Sequence, residues 1–257
     1  MMKLLTILFI LYATFCYSQQ QYEFDYLLEY ETTIYKDSFQ VKKGKLTEKN
    51  ETFKRYYLTN SKKNNYSAII TDLDSLYYTM TFKDENGISS RTTFLKSDLN
   101  NAEFINIHCK DVYSYKNQFK YRTKEYDFFK LTDTLVNGKA YTKYKFASIK
   151  PRKEKRHKLA TKFYLIDKET AFHLPFFELS TPYEEWKIDK NFPTGLFYEK
   201  YIIDYYGKLN SKETLINYWK IDKKIVISED CDYSKKTAKS SSISNPEITH
   251  SLLKDIN

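Results

Sequence analysis

From Tyr22 to Tyr35 the chain alternates. Tyr22, Phe24, Tyr26, Leu28, Tyr30 and Ile34 fall on one parity, and Glu23, Asp25, Glu29 and Glu31 on the other. A period of two predicts a strand with one buried and one wet face. The acidic parity predicts a neighbouring strand with basic residues opposite, such as Thr52–Thr59 with Lys54 and Arg55. Similar runs recur at Tyr66–Thr71, Leu76–Lys83, Ile88–Leu95, Val112–Arg122, Tyr126–Val136, Lys139–Ile149, Thr161–Ile166, Gly195–Tyr206 and Glu213–Ile227. Asn86-Gly87 and Asn137-Gly138 each sit between two such runs and predict hairpins, because both residue types tolerate positive φ. Asp167–Thr170 reads as a four-residue connection to a return strand at Ala171–Leu174. Helical signals are few: a turn in Ser97–Phe104 with Ser97 as N-cap, and another at Thr181-Pro182-Tyr183-Glu184 with Thr181 as N-cap. The expected fold class is all-β, mainly antiparallel. It is a curved meander sheet, half-barrel or barrel-like, with few short helices. No periodic helix separates the strands, which excludes α/β folds.

Composition adds that the strands can bury a core. Aromatics make up 18% of the 257 residues, with 25 Tyr and 18 Phe, so disorder is excluded over most of the chain. Residues 1–18 stand apart. Lys3 precedes an apolar run from Leu4 to Phe15, and Cys16 and Ser18 are small residues before Gln19. That is the layout of a secretory signal peptide cut before Gln19, which places the protein in the periplasm or outside the cell. A lipoprotein signal at Cys16 is disfavoured by the bulky Phe15. Residues 19–228 then form a single antiparallel β domain, and the Ser- and Lys-rich residues 229–257 a flexible tail, with a short helix expected at Thr249–Leu253. No second long apolar run follows, so no transmembrane span is expected in the mature chain.

The net charge of +9 raises an acidic partner as an expectation. Most Lys are scattered among Asp and Glu, which is an ordinary solvated surface. The exception is KPRKEKRHK, where Lys150, Arg152, Lys153, Lys155, Arg156 and Lys158 are the candidate contacts for an acidic partner, in a segment read as a loop because of Pro151. For an exported protein that partner is an anionic envelope component, and nucleic acid is disfavoured. Cys109 and Cys231 are a candidate disulfide in an oxidising compartment, with two separate thiols as the alternative. No catalytic residue, metal site or cofactor is assigned. His108, His157, His173 and His250 lack ligand spacing, and five glycines leave no phosphate loop. A Cys109–His173 nucleophile pair has nothing visible to activate it. Glu184 and Glu185 are adjacent, so they cannot flank one scissile bond.

Three stretches carry a resemblance: FCYSQ at the export signal, the opening YEFDYLLEYETTIY, and FYLIDKETAFHLPF at residues 163–176. They resemble secreted proteins of Bacteroidetes-type bacteria. The last resembles a motif of LolA/LolB-like and GLPGLI-type β folds, a strand, a D-x-x-T turn and a return strand reaching a proline, here Phe163–Asp167, Thr170 and Pro175. Phe192-Pro193-Thr194-Gly195-Leu196 is similar to the stretch that names the GLPGLI family, although Thr194 interrupts Pro-Gly and the initial Gly-Leu is absent. The resemblance implies a curved antiparallel sheet with an apolar concave face and carries over no catalytic residue. The expectation is an exported, non-enzymatic envelope protein holding a lipid or other hydrophobic ligand on its aromatic face. The alternatives are a structural or interaction module acting through the basic segment, and a hydrolase with an unrecognised site. A packed sandwich or closed barrel would account for the same aromatic faces without any ligand.

Overall fold

The computed structural model describes residues 20–35, 50–121, 123–231 and 233. Residues 1–18, expected as a signal peptide, most of the 36–50 loop, His250 and the helix expected at Thr249–Leu253 lie outside them. The described chain forms an open, curved, 13-stranded sheet. Its strands are β1 (Gln20–Ile34), β2 (Glu51–Thr59), β3 (Tyr66–Asp72), β4 (Tyr77–Asp84), β5 (Ile88–Leu95), β6 (Phe104–Ile107), β7 (Val112–Ser114), β8 (Tyr126–Lys130), β9 (Thr134–Val136), β10 (Lys139–Ser148), β11 (Thr161–Ile166), β12 (Phe197–Ile203) and β13 (Leu209–Ile227). The spatial order is β7-β5-β4-β3-β2-β1-β13-β12-β11-β10-β8, with β9 on β10 and β6 on β13. All pairs are antiparallel except β6–β13. The first and last long strands thus meet at the centre, and two meanders extend outward from them.

The Asn-Gly hairpins form. Asn137 and Gly138 take φ of 50° and 81°, and Gly87 takes 128° between β4 and β5. The short helices are α1 (Lys96–Asn101), α2 (Pro151–His157) and α3 (Ser180–Asp189). Their N-caps are Leu95, Lys150 and Leu179 rather than Ser97 or Thr181, and α3 runs ten residues.

Three expectations are corrected. The basic run is not a loop but α2. Pro151 opens it at the first turn, where a missing N–H costs nothing, and Lys158 closes it in the left-handed conformation. Ala171–Leu174 is not a return strand. Both edges of β11 are taken by β10 and β12, so the chain from Ala171 to Leu179 crosses the face of the sheet as an irregular strap. Val112–Arg122 is β only over Val112–Ser114, followed by a 3-10 turn at Gln118–Tyr121.

The apolar residues of β1 do not share one core. Tyr22, Phe24 and then Leu27 join a cluster with Leu58, Ile70, Met80, Phe82, Ile225 and Ile227. Leu28 and Tyr30 join Tyr57, Phe176 and Leu196 in another. The register against β13 shifts between Phe24 and Tyr26, and the inward parity changes there. A third cluster, Phe128, Phe146, Tyr164, Phe177, Trp186, Phe192 and Phe197, sits under α3. The aromatic faces are therefore largely packed core. The basic partner expected for the acidic face of β1 is present in Lys54, whose ammonium lies 2.7 Å from Glu29. Arg55 turns to the opposite face.

Candidate functional site

The open feature of the molecule is a groove of about 740 Å³ on the Leu27 face of the sheet, beneath α1 and the chain to β6. Strand alternation places Tyr56 of β2, Tyr78 of β4 and Leu27 of β1 side by side as its floor. Trp219 and Ile221 of β13 form one wall, and Leu99 to Glu103 the other. Tyr56 and Tyr78 meet edge to face at 5.8 Å. Trp219 stays 41% exposed, as expected of a wall rather than a core residue. Burial, with Tyr78 and Glu29 adding to it, pushes the Tyr56 phenol up to about 12. The Tyr56 phenol therefore stays neutral, and both rings face the groove.

Charges frame these rings. Glu29, Glu103 and Asp222 line the groove with Lys54 and Lys223. Glu29 is paired to Lys54, and Glu103 lies 3.1 Å from Lys224. Lys223 is buried, and its ammonium donates to the carbonyl of Ala102 at 2.6 Å, at the C-terminal end of α1. Burial lowers its pKa. A volume in the 300–1,000 Å³ range, apolar rings and a few placed polar groups are the attributes of a small-molecule site.

The opposite face holds a buried ion cluster. Arg55 of β2 donates to Glu213 of β13 at 2.8 Å and to Glu178 of the strap at 3.3 Å. Lys200 of β12 lies 2.8 Å from Glu213 and 3.6 Å from Glu178, and 4.1 Å from the centre of the Tyr57 ring. The Tyr57 hydroxyl donates to Glu213 at 2.7 Å. Burial alone would raise the Glu178 carboxyl, but Lys200, Lys162, Arg55 and Lys83 outweigh it and hold it at about 2. Lys162 pays for its own burial with a lowered pKa. Glu178 and Glu213 are both matched by cations, so the cluster anchors the strap and offers no idle base.

His173 is buried in the same strap. Its Nδ1 faces the Leu174 carbonyl at 2.5 Å and its Nε2 the Thr59 hydroxyl at 2.9 Å. Nδ1–H donates and Nε2 accepts in the neutral tautomer, which burial favours by lowering the pKa. Cys109 and Cys231 are joined as a disulfide with Cα atoms 5.4 Å apart, so Cys109 offers no thiol to pair with His173. Glu184 accepts from Asn117 at 2.7 Å, whereas Glu185 is raised to about 7 by burial and then by Asp127 and Asp189. His108 is exposed and caps the turn that begins at Cys109. Among the described residues, no three His, Cys, Asp or Glu side chains cluster to hold a metal ion.

The six basic residues around Pro151 share a surface helix. Lys150, Arg152, Lys155 and Arg156 are exposed, Lys153 is ion-paired with Glu125, and Lys158 lies 4.4 Å from the centre of the Tyr205 ring. They do not touch the groove. Sequence reasoning missed the groove because its residues come from four strands and a connecting segment. The signal that could have found it is Trp219, a large ring in an otherwise polar stretch, NYWKID.

Among the described residues, no helix is long and apolar enough to cross a membrane. No protein-family model and no curated protein matches the chain. Among solved structures, the chain is similar to MucB in the MucA/MucB complex of Pseudomonas aeruginosa, at TM-score 0.37 and 7% identity over 78% of this chain and 52% of that one. It therefore spans about half the length of the MucB chain. It is also similar to a putative outer membrane lipoprotein-sorting protein domain from Vibrio parahaemolyticus, at TM-score 0.30 and 9% identity over 76% and 85% of the two chains. A LolA superfamily protein from Nitrosomonas europaea gives TM-score 0.30 and 8% identity over 77% and 86%.

Proposed function

We propose that this is an exported, non-enzymatic binding protein of the cell envelope that takes an amphipathic ligand in the groove between Tyr56, Tyr78 and Trp219. The mature chain starts at Gln19, after removal of residues 1–18, in the periplasm or outside the cell. The observation that carries the reading is the groove itself: about 740 Å³ of open space bounded by three aromatic rings and framed by charges. Most aromatic residues of the other strand faces pack into the three clusters, which supports this groove over the whole concave face as the ligand site. A second reading has its own support. Lys150, Arg152, Lys155 and Arg156 project from one exposed helix, where an anionic envelope surface could meet them.

One experiment with two arms separates these. The fluorophore 1-anilinonaphthalene-8-sulfonate is titrated into the wild type and into Trp219→Ala. In parallel, wild type and a Lys153→Glu/Lys155→Glu/Arg156→Glu variant are floated with phosphatidylglycerol vesicles. Groove binding predicts at least a fivefold weaker fluorophore affinity in Trp219→Ala, with vesicle retention unchanged. Equal affinity in the two proteins sinks the groove reading. Loss of flotation in the triple variant alone favours the basic helix.

A further inference from the structure

β13 has an open edge in the middle of the sheet. On one side it pairs with β1 along its length, from Ser211 to Ile227. On the other it pairs with β12 only up to Thr214 and with β6 only from Lys224. Residues 215–223 lie between these two neighbours, a notch of roughly 25–30 Å at about 3.3 Å per residue. Among the described residues no backbone fills it.

Long unpaired edges are normally blunted by charge, proline or bulges, because their free N–H and C=O groups recruit other strands. Here the edge is only partly blunted. The register against β1 shifts between Glu29 and Tyr30 and between Phe24 and Tyr26, which bends β13 near both ends of the notch. Between the bends the ladder is regular from Asn217 to Lys220. Three large apolar side chains are exposed along the notch, Ile216 at 55%, Tyr218 at 40% and Trp219 at 41%, beside the exposed Asn217 and Lys220. They serve both faces. Tyr218 meets Tyr26 and Phe172 with ring centres 6.4 Å away, while Trp219 walls the groove on the other side.

We propose that this notch binds a short extended peptide from a partner protein, added as a strand beside Asn217–Lys220. Alternate side chains of an added strand point to opposite faces. One set would settle on Tyr26, Phe172 and Tyr218, and the other on Trp219. The partner segment is therefore short, about four to six residues, with apolar side chains at alternating positions. It carries an acidic residue. Glu29 and Glu103 are matched by Lys54 and Lys224, Lys224 also attracts Asp222, and Lys223 is engaged by a carbonyl, so the exposed Lys220 is the charge left for the partner to meet. The inference goes beyond the groove reading, since backbone pairing rather than groove filling is the recognising contact.

The probe is a capped six-residue peptide of alternating valine and threonine behind one glutamate. Two further versions are N-methylated on alternate residues, each blocking one edge of the peptide. Hydrogen exchange on the full chain reports the amides of residues 215–223. The proposal expects protection there on adding peptide, at least tenfold weaker binding for one N-methylated version but not the other, and at least threefold weaker binding to Lys220→Glu. Peptide protection that persists in Tyr78→Ala, a groove-floor residue on β4 away from the notch, while fluorophore binding weakens, supports it and separates it from the groove reading. No protection at about 1 mM peptide overturns it. So does equal binding of both N-methylated versions, or protection that grows with protein concentration alone, which would assign the edge to a second copy of this chain.

Discussion

Gly195 is where two distant stretches dock. It takes φ of 133°, and a Cβ there would meet the Asp167 carbonyl at 2.7 Å and Ile166 Cγ2 at 2.9 Å. The next amide, Leu196 N–H, donates to the Thr170 hydroxyl at 2.7 Å. Both obstacles belong to the end of β11 and its turn, so neither can swing away. Gly195→Ala should cost about 2 kcal/mol or more, read as a lower urea midpoint. An unchanged midpoint would mean that β11 gives way freely. Two carboxyls make a pH profile. Glu178 is held at about 2, below its ordinary 4.5, so its stabilisation is complete above 4.5 and lost as pH falls toward 2, on the order of 3 kcal/mol. Glu185 is raised to about 7, so the folded state binds the extra proton and stability falls as pH rises from 4.5 to 7. Half-buried and screened, that limb is worth about 1 kcal/mol. Glu185→Gln should flatten the upper limb and Glu178→Gln the lower one in urea titrations across pH.

At the scale of elements, the strands were legible and the strap was not. β4 and β5 follow from clean alternation around Asn86-Gly87, because a half-buried strand writes its period into the chain. The start of the strap, Ala171–Leu174, reads as a return strand because it follows a strand through the four-residue connection Asp167–Thr170. Its real course depends on β12 occupying the edge of β11, which comes from residues some thirty positions later. The basic run was misjudged for a local reason, since proline breaks helix interiors but starts helices. The groove needed long-range pairing to bring Tyr56, Tyr78 and Trp219 together, which no local pattern records. β6 is an element whose place depends on a crosslink. It is a four-residue parallel strand on β13, and the Cys109–Cys231 disulfide, 122 residues apart in sequence, ties the turns that follow the two strands. Chain entropy alone gives such a bridge up to about 5 kcal/mol. Reduction, or Cys109→Ser with Cys231→Ser, should lower stability by about 2–4 kcal/mol and release amide protection in residues 104–107 before the central ladder. Simultaneous loss throughout the sheet would refute the local role.

The described sheet is two meanders whose ladders meet at one seam, β1 against β13. Every strand from β2 to β5 returns beside its predecessor, and so does every strand from β10 to β13, even where α2 and the strap intervene. The seam alone joins the beginning of the described chain to its end, pairing Ile34 with Ser211 and Gln20 with Ile227. During synthesis, therefore, β1 emerges with its β2 neighbour soon at hand but waits for its other partner through roughly 180 to 210 further residues. At about 5–20 residues per second that is on the order of 10–40 s in which the edge of an aromatic-rich strand stands open. The central ladder is thus a clock as well as a support: it cannot close until the chain is nearly complete. A chain stopped short of Leu209 would hold two half-sheets without their shared ladder, linked through the strap and α3.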